Sequence, residues 1–379
     1  MKIARRSSST VKISSNATTA WMSTSFYQGA LLGENMMLKT IGRGISIELI
    51  LLAVALPLFS AASATAQDKK LEALNVAYTS ATATRAPLWI AKELKLFEKY
   101  GLDARLIYIR AGNPSISALV SGDIHVSSDP ASAVAIAAAR GAPVIIIGTY
   151  GLATYRLIGH PSVASPQHLK GKTVGGVRPG SGPDALLHRL LPKLGLIPGQ
   201  DVAIISTGIA ESGKRILGML QGNYEATLAS LDNIQQMEMK GQKINVLADP
   251  NELGVRTSVS DISSTRHVLK ERRPAVKAFL RAFVEGSWMG RRNPELAFRI
   301  FRKYLKVEDP KLLESMYKNY LGARNPLKPL PLEEALEADI DYLSKTLVPE
   351  LKGKSASDFM DASLIKELEN EKFFDRLER

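Results

Sequence analysis

The sequence predicts an α/β protein of two lobes, each built on a mainly parallel sheet. Three observations carry that expectation. From Leu74 onward, short apolar strand segments alternate with amphipathic helical segments. Glycines punctuate the ends of the helical segments, where a left-handed residue closes the last turn. The composition, 45% hydrophobic and 23% charged over 379 residues, is globular and too long for one small core.

Leu74–Tyr78 reads as the first strand. One helix is expected from about Pro87 to Gly101, with Ile90, Leu94 and Phe97 on its apolar face. Ala104–Ile109 is the next strand, and a helix over Ser115–Ser121 stops at Gly122. Ile124–Ser127 is a strand, Ala131–Arg140 a helix ending at Gly141, and Val144–Ile147 a fully apolar strand.

From Tyr155 the logic repeats. Lys172–Val177 is a strand, and Asp184–Leu194 is a helix with Leu187, Leu190, Leu191 and Leu194 on one face. Lys99-Tyr100-Gly101-Leu102 and Lys193-Leu194-Gly195-Leu196 both end a helix and open the loop to a strand. This is an echo of architecture rather than a solenoid repeat. Lobe one is therefore assigned to 67–154 and 257–379, and lobe two to 155–256. Val259–Ser263 is expected to return to lobe one. Helices follow over Arg266–Gly290, Pro294–Tyr304 and Pro310–Tyr320. Pro326, Pro329 and Pro331 mark an extended link to a helix over Glu333–Leu347, and this tail is expected to cover lobe one.

Residues 1–66 are read as an extension plus a secretory signal. Basic Met36-Met37-Leu38-Lys39 precedes an uncharged apolar run, Leu49 to Phe59, and the small-residue site Ala64-Thr65-Ala66. The true start is expected at Met36 or Met37 and cleavage after Ala66, giving an exported protein. The run is short for a membrane span and Pro57 interrupts it. The net charge is +12, of which six Lys/Arg against two Asp/Glu in residues 1–66 account for +4. The rest is spread over helices that also carry acids, which reads as a solvated face and not as a nucleic-acid footprint. With no cysteine, there is no disulfide, thiolate metal site or cysteine nucleophile.

Catalytic constellations are missing. The five histidines never fall at a metal-ligand spacing, and no nucleophile elbow occurs. No catalytic residue, metal site or cofactor is expected. Asp339 and Asp341 in the tail are expected to be solvated. Gly208-Ile209-Ala210-Glu211-Ser212-Gly213-Lys214 approaches a phosphate loop, but Arg215 stands where Ser or Thr must hold magnesium. Arg178-Pro179-Gly180-Ser181-Gly182-Pro183-Asp184 joins a strand to a helix, where turning glycines and unpaired N–H groups suit an anion. Ala111-Gly112-Asn113-Pro114-Ser115 holds the matching place in the first lobe. Each loop also has a plain reading as a shaped turn, with Asp184 helping the helix to start.

Leu74-Asn75-Val76-Ala77-Tyr78, Pro87-Leu88-Trp89-Ile90-Ala91-Lys92-Glu93 and Leu96-Phe97-Glu98-Lys99-Tyr100-Gly101-Leu102-Asp103 resemble the opening of the sulfonate/nitrate/taurine-type periplasmic binding proteins. That family also contains the thiamine-pyrimidine synthases. Ala118-Leu119-Val120-Ser121-Gly122-Asp123, Leu169-Lys170-Gly171-Lys172-Thr173-Val174, Pro198-Gly199-Gln200-Asp201-Val202 and Asp361-Ala362-Ser363-Leu364-Ile365 extend the resemblance across nearly all of residues 72–370.

The resemblance implies a type II periplasmic binding protein fold, α/β with a hinge and a helical segment on lobe one. It also implies a small-molecule solute held between the lobes and an ABC importer permease as partner, with membrane contact only through that transporter. Position by position, it implies a cleft lined by Thr79, Ser80, Thr82 and Arg85, with Trp89 near them. Asn113, Ser128, Asp129 and Tyr150 would complete lobe one. Gly180, Ser181 and Gly182 would face them, with Ser230 and Asp232 beside the crossover. From the residues themselves, Arg85 and Arg178 read either as counter-charges for an anionic, sulfonate-, nitrate- or carboxylate-like solute or as solvated loop arginines. His125, Glu225-Ala226 and Asn233-Ile234 depart from the family pattern. The cysteine-rich motif of the synthases cannot exist here, which argues against the enzymatic branch. A cleft enzyme, with His125, His160 or His188 as base, and a solute sensor are the rival readings. A monomer is expected.

Overall fold

The computed structural model describes residues 70–378 apart from 111, 259 and 323–325, so the expected signal segment lies outside the described residues. The chain opens with β1 (Glu72–Tyr78), a 3-10 turn (Ala83–Arg85), α1 (Ala86–Glu93) and α2 (Leu96–Lys99). Then come β2 (Leu102–Tyr108), α3 (Gly112–Ser121), β3 (Ser127–Asp129), α4 (Ala131–Ala139) and β4 (Val144–Thr149). The single helix expected to run to Gly101 is two. Lys95 takes a left-handed conformation, φ 54°, between them. That break turns the chain so that Leu96 and Phe97 are buried beside β1.

The chain continues through β5 (Tyr155–Gly159), β6 (Lys172–Gly176), α5 (Gly182–Lys193), β7 (Val202–Ser206), α6 (Ser212–Leu220), β8 (Ala226–Ser230), α7 (Leu231–Met239) and β9 (Asn245–Ala248). It returns through β10 (Asp261–Thr265) to α8 (Arg266–Glu271), α9 (Arg273–Arg292), α10 (Pro294–Leu305), α11 (Pro310–Tyr320), α12 (Glu333–Thr346), α13 (Ser363–Asn370) and α14 (Phe373–Glu378). The helix expected over Arg266–Gly290 is also divided, at Arg272. Pro274 has no N–H to give the carbonyl four residues back, so a new helix starts with proline in its first turn.

The two sheets share one topology. In the second, the order is β7-β6-β8-β5-β9, with β5 antiparallel to both neighbours. In the first, β2 pairs β1, and β3-β10-β4 has β10 antiparallel to both neighbours. Backbone bonds from His125 N to Asn75 O at 2.9 Å and from Ala77 N to Val126 O at 2.8 Å join the two pieces. Each sheet therefore runs second, first, third, crossing strand, fourth, and in each the crossing strand comes from the segment that connects the lobes. Ligands of open α/β sheets sit beyond the carboxyl ends of such strands.

The helical tail does more than cover lobe one. Helix α9 packs on α1 so closely that a Cβ on Gly286 would lie 2.5 Å from the Pro87 carbonyl. Helix α12 buries Leu336, Ile340 and Leu343 with Val134 and Ala135 of α4, while Arg189 of α5 reaches its Asp339 at 2.8 Å. Helix α11 meets α7 through Ser315 and Gln235 at 2.7 Å. The tail thus touches both lobes. Asp339 is fully buried, contrary to the solvated position expected for it, because it lies on the same helical face as Leu336 and Leu343. Asp341 is exposed and pairs with Lys345.

Candidate functional site

After β1 the chain leaves the sheet as a polar loop. Thr79 Oγ1 donates to the Ser128 carbonyl at 2.7 Å, and Thr82 and Thr84 hydroxyls meet at 2.7 Å. Arg85, closing the 3-10 turn, is 1% exposed. Its Nη2 donates to Ser80 Oγ and Ser260 Oγ at 3.0 Å each, and the guanidinium lies 4.5 Å over the Tyr150 ring. Burial pulls the Arg85 pKa down, opposed by Tyr150, Asp129 and Asp261.

Asp129 accepts from Ser263 Oγ at 2.7 Å, yet burial still pushes its carboxyl up. Asp261 accepts from Ser258 Oγ at 2.6 Å and from the Ala131 amide at 3.1 Å. Burial pushes it up to about 7.

Arg85 Nε and Nη1, Ser128 Oγ, Asp129 Oδ1, Ser132 Oγ and Asp261 Oδ1 are all buried without a hydrogen-bond partner. Most buried polar groups in native proteins are paired. Their concentration at the ends of β1, β3 and β4 marks a place suited to a polar guest.

Next to this cluster lies a cleft of about 490 Å³. Asn113 and Ser117 of α3, Pro130 and Ser132 at the start of α4, and Arg178 to Gly182 at the start of α5 form its polar side. Three helix N-termini therefore border one space, each carrying partial positive charge. Arg140 and Arg178 add guanidinium groups, and among the described residues no carboxylate lines the cleft. Arg140 also pairs with Glu350 at 3.2 Å.

The Arg178–Asp184 loop spends part of its polarity internally. Gly180, at φ 77°, donates its N–H to Asp184 Oδ2 at 2.9 Å. Ser181 Oγ donates to the Arg178 carbonyl at 2.7 Å. Asp184 lies in the first turn of α5 without capping it, and burial pushes its carboxyl up.

Of the residues singled out from sequence, Asn113, Arg178, Gly180, Ser181 and Gly182 line this cleft. Thr79, Ser80, Thr82, Arg85, Ser128, Asp129 and Tyr150 gather in or around the polar cluster at the strand ends, one residue from the cleft at Pro130. Trp89 lies elsewhere. Its ring stacks on Tyr304 at 4.7 Å and it belongs to the core between α1 and α10. Ser230 and Asp232 also lie apart from the cleft lining. The Ser230 amide bonds Ser212 Oγ at 3.2 Å, and Asp232 takes the Tyr320 hydroxyl at 2.8 Å. Sequence reasoning missed Ser132, Arg140 and Asp261. It also missed Leu347 and Val348 of the tail, which complete the cleft wall.

The near phosphate loop is filled from within. Arg215 is fully buried and donates to the carbonyls of Ile209 at 2.9 Å, Ala210 at 2.7 Å and Leu228 at 2.8 Å. Glu211 of the same loop pairs with Arg110, which follows β2 in lobe one. His125 Nδ1 accepts the Asn75 amide at 3.0 Å within the sheet, and His160 bonds Ser162 at 2.8 Å. His188 stacks on Tyr342 with ring centroids 5.1 Å apart. No helix of the described residues is long and apolar enough to cross a membrane.

Residues 82–297 match the NMT1/THI5-like family. The chain belongs to that family. A Brucella abortus protein whose name proposes a binding role without a ligand is 27% identical over 234 residues, 61% of this chain and 70% of its own. The periplasmic aliphatic sulphonate-binding protein of Escherichia coli superposes with a TM-score of 0.62 at 20% identity, covering 76% of this chain and 92% of its own. The periplasmic nitrate-binding protein of Synechocystis PCC 6803 gives 0.58 at 14% identity, covering 80% and 89%. At these identities the structural likenesses establish the fold, that of the periplasmic binding proteins.

Proposed function

We propose that this family member is the extracytoplasmic solute-binding component of an ABC importer and that it captures a small anionic solute between its lobes. The carrying observation is the cleft itself. Three helix N-termini, two arginines and the unpartnered Ser132 hydroxyl border it, and no carboxylate of the described residues does. An anion there would meet backbone N–H groups and positive charge without any catalytic residue. The named ligands of the structural neighbours, aliphatic sulphonate and nitrate, are of that class.

In this reading lobe one is 67–154 with 257–379 and lobe two is 155–256, and the protein is a monomer. It reaches the periplasm by the signal that ends at Ala66. Solute binding shifts an open–closed equilibrium by its differential affinity for the closed form, which the permease then recognises. The solute leaves unchanged, so the reading is of a receptor and not an enzyme. The test is a calorimetric titration of the protein with sulfonates, nitrate and small carboxylates, repeated on Arg178→Glu. Arg178 is exposed, so the variant should fold as the parent does. Loss of anion binding in it supports the reading, and equal affinity in both proteins contradicts it.

A further inference from the structure

Leu347 is a large apolar side chain left 42% exposed at the end of α12. Both it and Val348 donate their amides to the Leu343 carbonyl, at 2.9 Å and 2.8 Å, which ends the helix in a tight turn. Leu347 Cδ1 lies 3.7 Å from where a Cβ on Gly180 would stand, so it sits over the loop at the start of α5. With Val348, Ile116, Ile136 and Ala133 it makes the apolar part of the cleft lining, beside Ser181 and Asn113. This wall is held from both sides, by the packing of α12 on α4 and by the Arg189–Asp339 pair to α5. A bare inorganic anion, about the size of one or two waters at roughly 30 Å³ each, leaves most of the 490 Å³ unused.

We infer that Leu347 and Val348 are specificity-determining residues, and that they select an anion carrying an apolar body over an inorganic ion. The inference rests on the cleft being the solute site. The anionic head meets the helix N-termini and Arg178, and the apolar body lies along α4 against the tail. Specificity then comes partly from a segment more than 150 residues away in sequence from either anion-facing loop.

The experiment is a calorimetric titration of the full chain with sulfate, methanesulfonate, butanesulfonate and octanesulfonate, on the parent, Leu347→Ala and Leu347→Trp. In the parent, affinity should rise from methane- to butanesulfonate by roughly fourfold for each methylene that reaches the wall. Leu347→Ala should weaken butanesulfonate about tenfold and leave methanesulfonate within twofold. Leu347→Trp should exclude octanesulfonate while keeping methanesulfonate. A chain-length dependence identical in all three proteins would overturn the role of the tail and leave anion capture standing. Failure of every anion to bind the parent would overturn both.

Discussion

Arg189 on α5 and Asp339 on α12 meet at 2.8 Å, and they tie the second lobe to the helical tail. Asp339 also takes the Thr257 hydroxyl at 3.1 Å, where the chain crosses back to lobe one. Burial pushes this carboxyl up to about 6 despite Arg189, so its environment already penalises the charge. Arg189→Ala removes the nearby cation and should destabilise the protein by about 3–5 kcal/mol near pH 8. The loss should shrink at pH 5, where Asp339 is protonated and has no charge to neutralise. Urea unfolding of parent and variant at the two pH values checks this.

Asp261 predicts the pH dependence of stability. Its carboxyl stands at about 7 in the fold against an ordinary 3.8. An acid raised on folding contributes most stability below its unfolded value, and that contribution is lost as pH rises through its folded value. Between about pH 4 and 7 the unfolded chain ionises first, so stability from this group falls as pH rises. Asp261→Asn should flatten the dependence over that window. An unchanged profile in the variant would place the titration elsewhere.

Arg215 should be indispensable to the second lobe. Its fully buried guanidinium satisfies the carbonyls of Ile209, Ala210 and Leu228 at once. Arg215→Ala leaves those acceptors unpaired at roughly 1–3 kcal/mol each, so the variant should lose at least about 3 kcal/mol. Denaturant midpoints measure it.

Ser181→Asp should abolish anion binding with little change in melting temperature. Ser181 is half-buried at the start of α5, and a carboxylate there brings negative charge to the rim of the cleft while suiting the helix dipole. Titration and melting of the same preparation separate the two effects. Undiminished affinity would remove the start of α5 from the site.

Much of the fold was legible because strand and helix periods, and glycines such as Gly101, Gly122 and Gly141 with positive φ, are local signals. Pro274 also announced the break after α8, although the apolar stripe of α9 masked it. Lys95 gave no such warning, since its left-handed turn is imposed by the burial of Leu96 and Phe97. The loops at Asn113 and at Arg178–Gly182 could be found from glycines between a strand and a helix. Leu347, Arg140 and Ser132 could not, because only tertiary packing brings α12 and α4 to that loop. The burial of Asp339 was hidden for a similar reason. Its place on the Leu336–Leu343 face is readable, but the Arg189 that accommodates it is not.

The most direct test of the central claim is the melting temperature of the purified protein against a rising concentration of each of a panel of small anions. At 100 times its dissociation constant a captured solute adds about 2.7 kcal/mol to the folded state. A saturable rise with at least one anion, absent with neutral and cationic analogues of the same size, is the predicted result. A rise only with cations or neutral solutes, or none with any anion, would contradict the account.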